Sequence, residues 1–353
     1  MGERWRTVLK IGLPLGLAAL LVLALWTGIL HRAPPVQTTT RMLMGTLVSI
    51  STWGMTQGSS DRAVQRAFAE MDRIEEAMSW HRPTSEVSRI NQVSRETWIP
   101  VSAELGQLVQ RGLVVSTQSG GAFSIGLEPL TTLWGFSTER VVTQPPAAEA
   151  LRDWLQGYPS TDAIVLREGE DHAFQIYLKN RRVGLDLGSI GKGHAIDQAI
   201  AVLRQEGVTD AVVDAGGDLR ILGSKGGVPW RIGLQDPRQP DQVVAVSLLK
   251  GDMAMATSGD YERFFIYEGR RYHHIMDPTT AAPAQSGLSS VSVQAANSTT
   301  ANSLATAIFV LGPEKGLALL AHFPGSEVLM ITEAGQPIRS PGFIGEWLDK
   351  PQP

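Results

Sequence analysis

Three clusters of side chains in this sequence have the types and spacing for chemistry on a phosphorylated ligand. The first is Asp186-Leu187-Gly188-Ser189-Ile190-Gly191-Lys192-Gly193, read as a strand end opening into a helix, followed shortly by Asp214-Ala215-Gly216-Gly217-Asp218. Glycine lets the backbone approach a ligand closely, the first turn of a helix offers N–H groups to anions, and Lys192 adds a point charge. The same glycines also suit plain turns. The first segment is not a P-loop, because Asp186 stands where the first glycine belongs and Gly193 follows Lys192. Nor is it a dinucleotide fingerprint, since Gly191-Lys192-Gly193 runs into His194-Ala195-Ile196 without the third glycine.

The second cluster is Tyr272-His273-His274-Ile275-Met276-Asp277-Pro278, reached from Ala256-Thr257-Ser258-Gly259-Asp260-Tyr261 through a strand. Neighbouring histidines on a strand face opposite sides and do not share one ion. One histidine beside an Asp either serves acid–base chemistry or satisfies a turn. In the third cluster, Asn302 and Thr306 lie four apart on a predicted helix and share a face. Their oxygens suit one Mg²⁺, or equally a cap and a back-bonded hydroxyl. No Gly-x-Ser-x-Gly elbow occurs, which argues against an ordinary serine hydrolase.

The elements that must carry these clusters follow from hydrophobic period and turn residues. Met42–Ser51 has strand character. Ser60–Met78 carries the helical stripe Val64, Ala67, Phe68, Met71, Ile74 and Met78, with Ser59 or Ser60 as cap and Asp61 in the first turn. After Pro145-Pro146 a short helix is predicted over Ala147–Leu155. Strands are predicted at Ala163–Leu166, Phe174–Leu178, the approach to Asp186, Ala211–Val213, Trp230–Leu234, Val243–Leu249 and Phe264–Tyr267. Helices interrupt them at Lys192–Gln205 and Thr300–Leu311. Strands that follow one another without helices predict an α+β fold rather than a βαβ series.

The whole chain has 353 residues, a formal charge of -4 and no cysteine. With no basic stripe there is no footprint for nucleic acid. Disulfides, thiolate metal sites and thiol nucleophiles are excluded. After Arg4, Arg6 and Lys10, an uncharged, mostly apolar run from Ile11 to Leu30 has the length of a membrane-crossing helix. It is an anchor or an export signal, and the absence of an Ala-x-Ala-like site after it favours an uncleaved anchor. The charge bias places residues 1–10 in the cytoplasm and the body outside, which in a bacterium is the periplasm. Residues 31–40 read as a linker, 41–340 as the folded domain and 341–353 as a tail.

In order and spacing, these pieces resemble the ApbE family, the FAD:protein FMN transferases. The carrying segments are Met44-Gly45-Thr46, Met78-Ser79-Trp80, Ser85 to Asn91, Gly121-Ala122-Phe123, Leu133-Trp134-Gly135-Phe136, Asp186 to Asp197, Gly216-Gly217-Asp218, Thr257 to Tyr261, His274 to Pro278 and Asn302 to Gly312. The resemblance implies an α+β body in two parts with flavin in the cleft between them. It implies that FAD is cut at its pyrophosphate, that FMN passes to a Ser or Thr hydroxyl of an acceptor protein, and that AMP leaves. By the same resemblance Met44, Trp80, His81, Ala122, Phe123, Ser124, Asp186, Lys192 and Met276 line the FAD site. Ser189, Asn302 and Thr306 hold Mg²⁺, and His274 is the acid–base residue with Asp277 as orienting partner. The implied partner is an acceptor flavoprotein subunit of a membrane redox complex, such as the sodium-pumping quinone reductase.

The chain departs from the family pattern at three places. Asn302 stands where Asp is common, Ser124 where a second carboxylate is usual, and His81 where a tyrosine is common, with Trp80 able to take the stacking role. The missing carboxylates leave open an accessory flavin-binding role, for example in nitrous oxide reductase maturation. A metal-dependent FAD pyrophosphatase, with water replacing the acceptor hydroxyl, lies between the two.

Overall fold

The structure is a computed structural model that describes residues 35–352 apart from 94–95, 137–141, 159–162 and 171–172. The predicted membrane segment 11–30 and the residues before it lie outside the described residues. No helix among those described is long and apolar enough to cross a membrane.

The centre is an eight-stranded sheet: β1 (Gln37–Leu43), β2 (Thr46–Thr52), β3 (Ala211–Ala215), β4 (Asp218–Gly223), β5 (Gly251–Gly259), β6 (Leu288–Ala295), β7 (Glu327–Thr332) and β8 (Pro337–Arg339). Spatial order follows chain order, and every neighbouring pair is antiparallel. The sheet is therefore a meander whose connections carry the insertions. Its strands send alternate residues to opposite faces. Ala254, Ala256, Val328 and Met330 join the main core, while Met255 and Leu329 join a second cluster beneath a three-stranded sheet of Trp230–Gln235, Val243–Leu249 and Glu346–Gln352.

Three helices cover the first face: α1 (Gln57–Met78), α6 (Gly191–Gln205) and α7 (Ser298–Leu311), with α6 in contact with both others and α7 lying on β5 and β6. The remaining helices are α2 (Glu86–Gln92), α3 (Ala103–Gln118), α4 (Glu128–Leu133), α5 (Ala148–Gly157) and α8 (Pro313–Leu319). A third cluster of Leu127, Leu130, Trp134, Trp154, Met276 and Ala281 joins α4 and α5 to the hairpin of Met276–Asp277 and Ala282–Pro283. This cluster lies apart from the main core on the central sheet.

Two side chains fix the helices that carry the site. Asp197 on α6 accepts from the backbone N–H groups of Ser298 (2.8 Å) and Thr299 (2.9 Å) and from the Thr299 hydroxyl (2.6 Å), so it caps α7 from outside. A carboxylate at a helix N-terminus satisfies orphan donors and complements the dipole. Gly193 faces the same backbone, and a Cβ there would collide with Ser298 and Thr299. That requirement explains the glycine after Lys192.

Several boundaries differ from those read from sequence. Helix α1 begins at Gln57 with Thr56 as cap, so neither Ser59 nor Ser60 caps it. Met42–Ser51 is two strands joined by a turn at Met44 (φ 53°) and Gly45 (φ 72°). The approach to Asp186 is not a strand and makes only an isolated bridge, Leu127 to Gly184. Residues 37–40, expected in the linker, are an edge strand, and Glu346–Gln352, expected in the tail, pairs with Val243–Leu249.

Candidate active site

Asp218 sits at the start of β4, 1% exposed, and collects three donors. Its Oδ2 accepts from Lys192 Nζ at 2.9 Å and from Asn302 Nδ2 at 3.0 Å, and its Oδ1 accepts from the Thr257 N–H at 3.0 Å. These groups come from α6, α7 and β5, the elements that meet over the sheet. Thr306 lies one turn beyond Asn302, donates to the Asn302 carbonyl (3.3 Å) and shares a hydrogen bond with the Ser258 hydroxyl (3.3 Å). The Asn302 Oδ1 is buried without a hydrogen-bond partner.

An orphaned buried acceptor costs stability unless something meets it. The same side chain is bonded through its amide to the Asp218 carboxylate, and Thr306 lies one turn on, oxygen donors of the kind a divalent cation takes. Among the described residues no cluster of three or more His, Cys, Asp or Glu could hold a metal. A cation here would therefore draw much of its coordination from a ligand's phosphates and water. Ser189, expected to act through its carbonyl, lies in the turn before α6; Asn302 and Thr306 lie one turn apart on α7, and the structure adds Asp218 beside Asn302.

Helix α6 starts at Gly191 with no side-chain cap; the Gly191 N–H is taken by the Leu187 carbonyl (2.6 Å), so an anion at this end would meet the N–H groups that follow it, beside the Lys192 side chain paired with Asp218. Gly216 and Gly217 serve differently: with φ of 61° and 90°, they form the two-residue turn joining β3 to β4. The turn brings Asp214 and Asp218 close together. Burial, with the Asp218 charge, raises the Asp214 pKa, against the Gly217 N–H and Lys192, which lower it. Glu262 is raised by its surroundings and by Asp218, with Lys192 opposing. Lys192 is thus the positive centre of an acidic neighbourhood.

His274 follows the hairpin of Phe264–Tyr267 and Arg270–His273. Its Nδ1–H donates to the Arg263 carbonyl at 3.3 Å, which assigns Nε2 as the free acceptor. The residue is half-buried. Desolvation first, then the charges of Arg263, His273 and Lys192, hold its pKa well below 6.5, despite the Arg263 carbonyl. Asp277 is not its partner, because Asp277 Oδ1 accepts from the Thr279 N–H (2.8 Å) and hydroxyl (2.7 Å). The short Asp-Pro-Thr turn captures that carboxylate locally. His273 has a structural role: it is buried, Nε2 donates to the Ala284 carbonyl at 3.0 Å, and Nδ1 accepts from the Ile275 N–H at 3.3 Å.

The expected flavin-lining residues fall into two groups. Ala122, Phe123 and Ser124 follow α3, and the backbone there is tied to the Asp186 segment by the Asp186 N–H to Ile125 carbonyl bond (2.9 Å). Phe123 is 1% exposed with its ring in the main core, so only its backbone can face a ligand. The Ser124 hydroxyl bonds the Tyr158 phenol at 2.6 Å, and burial pushes that phenol up to about 12. Asp186 accepts from the Thr131 hydroxyl (3.0 Å) and the Gly188 N–H (2.9 Å), which shapes the turn into α6. In the other group, the Trp80 and His81 rings stack at 4.1 Å on the segment between α1 and α2. Met44 holds a left-handed conformation while its N–H donates to Glu75 at 2.8 Å. The two-residue turn between β1 and β2 requires that conformation. Met276 is buried in the third cluster.

The fold is α+β, and its candidate site sets a lysine paired with a buried carboxylate at the start of a helix that has no side-chain cap. The model of the ApbE family matches residues 44–330, and the chain belongs to that family. It is 34% identical over 304 residues to the FAD:protein FMN transferase of Treponema pallidum, covering 82% of this chain and 83% of that protein. The crystal structure of the ApbE protein from Thermotoga maritima matches with a TM-score of 0.77 at 33% identity, over 87% of this chain and 97% of that one. The flavin transferase ApbE from Vibrio cholerae matches with a TM-score of 0.76 at 29% identity, over 88% and 99%.

Proposed function

We propose that this chain is an FAD:protein FMN transferase that moves FMN from FAD to a Ser or Thr hydroxyl of an acceptor protein and releases AMP in a Mg²⁺-dependent reaction. The observation that carries this reading is the convergence of Lys192, Asp218 and Asn302 beside an uncapped helix N-terminus and a neutral histidine. Lys192 and the first turn of α6 meet the pyrophosphate. Asn302 Oδ1, Asp218 and Thr306 would hold the cation, which neutralises charge on the phosphates when bound. The Trp80–His81 stack offers a flat surface to the isoalloxazine.

His274 Nε2 takes the proton of the acceptor hydroxyl as its oxygen attacks the FMN phosphorus. The new P–O bond forms while the pyrophosphate P–O bond breaks, and AMP leaves with that electron pair. The Arg263 carbonyl keeps the accepting nitrogen oriented. The acceptor is a subunit of a membrane redox complex, and the predicted segment 11–30 would hold the enzyme at the bacterial inner membrane with its body in the periplasm. Full-length protein incubated with FAD, Mg²⁺ and an acceptor subunit of the sodium-pumping quinone reductase should yield covalent FMN on the acceptor, and His274→Ala should abolish it.

An accessory flavin-binding role is the second reading. It is favoured by Asn302, whose amide already satisfies Asp218 in place of a second carboxylate. Intact FAD bound by the protein, with no transfer to any acceptor, would establish it.

A further inference from the structure

The turn from Asp260 to Arg263 joins β5 to the hairpin of Phe264–Tyr267 and Arg270–His273, and so bridges the two halves of the site. Just before it, the Thr257 N–H donates to Asp218 and the Ser258 hydroxyl bonds that of Thr306. At its other end, the Arg263 carbonyl accepts from the His274 N–H at 3.0 Å and from the ring Nδ1–H at 3.3 Å. Where that carbonyl points therefore decides which imidazole nitrogen carries the proton and where Nε2 lies.

A turn has no ladder of its own to hold it, and here Asp260 supplies the hold. The residue is 6% exposed; its N–H donates to the Ser289 carbonyl on β6 (3.1 Å), and its carbonyl accepts from Arg271 (3.3 Å). Its carboxylate receives Arg238 at two points, Nη1 at 2.6 Å and Nη2 at 2.9 Å, with Arg271 at 3.7 Å. Arg238 comes from the connection between Trp230–Gln235 and Val243–Leu249, in the three-stranded sheet. The Asp236 carboxylate accepts from the Arg238 N–H (2.7 Å) and the Gln239 N–H (3.1 Å), which fixes the backbone from which Arg238 reaches across. A two-point arginine–carboxylate pair sets orientation as well as distance, and removing one partner from so buried a pair is costly. Among the described residues neither Arg238 nor Asp260 bonds the side chain of His274, Lys192 or Asn302, so the pair acts on the site only through the turn.

We infer that Arg238 and Asp260 are positioning residues for His274: their two-point pair clamps the turn whose Arg263 carbonyl orients the imidazole. The kinetic consequence rests on the transferase reading above, whereas the state of the imidazole rests on the geometry alone.

The test uses the full chain with ¹⁵N-labelled histidine at neutral pH and without FAD, where nitrogen NMR shows which ring nitrogen is protonated. His274→Gln identifies the signal. In the parent protein His274 should be the Nδ1–H tautomer. Arg238→Met should turn that signal into a mixture of tautomers and, in transfer assays, lower kcat roughly tenfold to a hundredfold with KM for FAD unchanged. Arg238→Lys, which keeps one point of the pair, should recover most of both. Asp260→Asn removes the buried charge together with the pair, so it tests the clamp without leaving a carboxylate unpartnered, and it should give the same signature as Arg238→Met. An unmoved tautomer in both Arg238→Met and Asp260→Asn overturns the inference, as does a parental kcat or an effect confined to KM. A tautomer that moves in these variants, when even the parent protein transfers no FMN, would refute the transferase reading and leave the clamp on the imidazole standing.

Discussion

Replacing Asn302 by Asp tests the proposed metal position through stability as well as rate. The substitution puts a second carboxylate where the Asn302 amide now donates to Asp218 at 3.0 Å. At that separation and an effective dielectric constant of ~20, two unit charges repel by about 5 kcal/mol. Lys192, already 2.9 Å from the shared Asp218 oxygen, offsets part of this and leaves a net cost of roughly 2–3 kcal/mol without a divalent ion. For a chain of this size, that lowers the melting temperature by about 5 °C. Added Mg²⁺ should close the gap, because a divalent ion between two carboxylates reverses the repulsion. Melting curves of the parent and variant, each with EDTA and with MgCl₂, read the effect directly, and transfer rates against Mg²⁺ concentration should shift to lower concentrations in the variant. Equal melting temperatures in EDTA and an identical Mg²⁺ dependence would show that Asn302 does not stand at a cation position.

His274 should set the acid limb of the rate profile below pH 6.5, since its neutral form is favoured in the folded protein. The same linkage makes stability fall as pH drops below about 6.5, where the unfolded chain binds a proton that the folded chain resists. His274→Gln should flatten that slope in pH-dependent denaturation; an unchanged slope would assign it to another group. Lys192→Met removes the cation beside a buried carboxylate and should destabilise the fold by about 3 kcal/mol, as well as weaken FAD binding. Wild-type-like FAD affinity in a titration would remove Lys192 from the phosphate site. Gly193→Ala should cost about 2–3 kcal/mol in urea unfolding through collision with the α7 backbone, and a neutral result would mean that the two helices separate easily.

The sequence was most readable where one physical signal dominated. Val243–Leu249 and Phe264–Tyr267 have the predicted limits, and α6 and α7 start within two residues of those expected. Strand β6 escaped because all eight of its residues are buried, so it shows no polar alternation and carries three serines. Strand β1 escaped for the opposite reason: its threonines lie exposed along a sheet edge and resemble a linker. In the candidate site, Lys192, Asn302 and Thr306 could be singled out because a glycine-bounded helix start and an i, i+4 pair are local patterns; Thr306 makes the back-bond to the Asn302 carbonyl that this spacing also allowed. Asp218 gained its role only when strands and helices distant in sequence met around it. The pairing of His274 with Asp277 failed because their three-residue spacing says nothing of the turn that consumes the aspartate. The Gly216-Gly217 pair between two apolar runs was the signal for that hairpin and for the carboxylates at its tip.

The most direct test of the central claim is mass spectrometry of an acceptor subunit incubated with the full chain, FAD and Mg²⁺. Covalent FMN is expected on a Ser or Thr of the acceptor, with AMP released in equal amount and both lost in His274→Ala. An unmodified acceptor beside intact, bound FAD would contradict it.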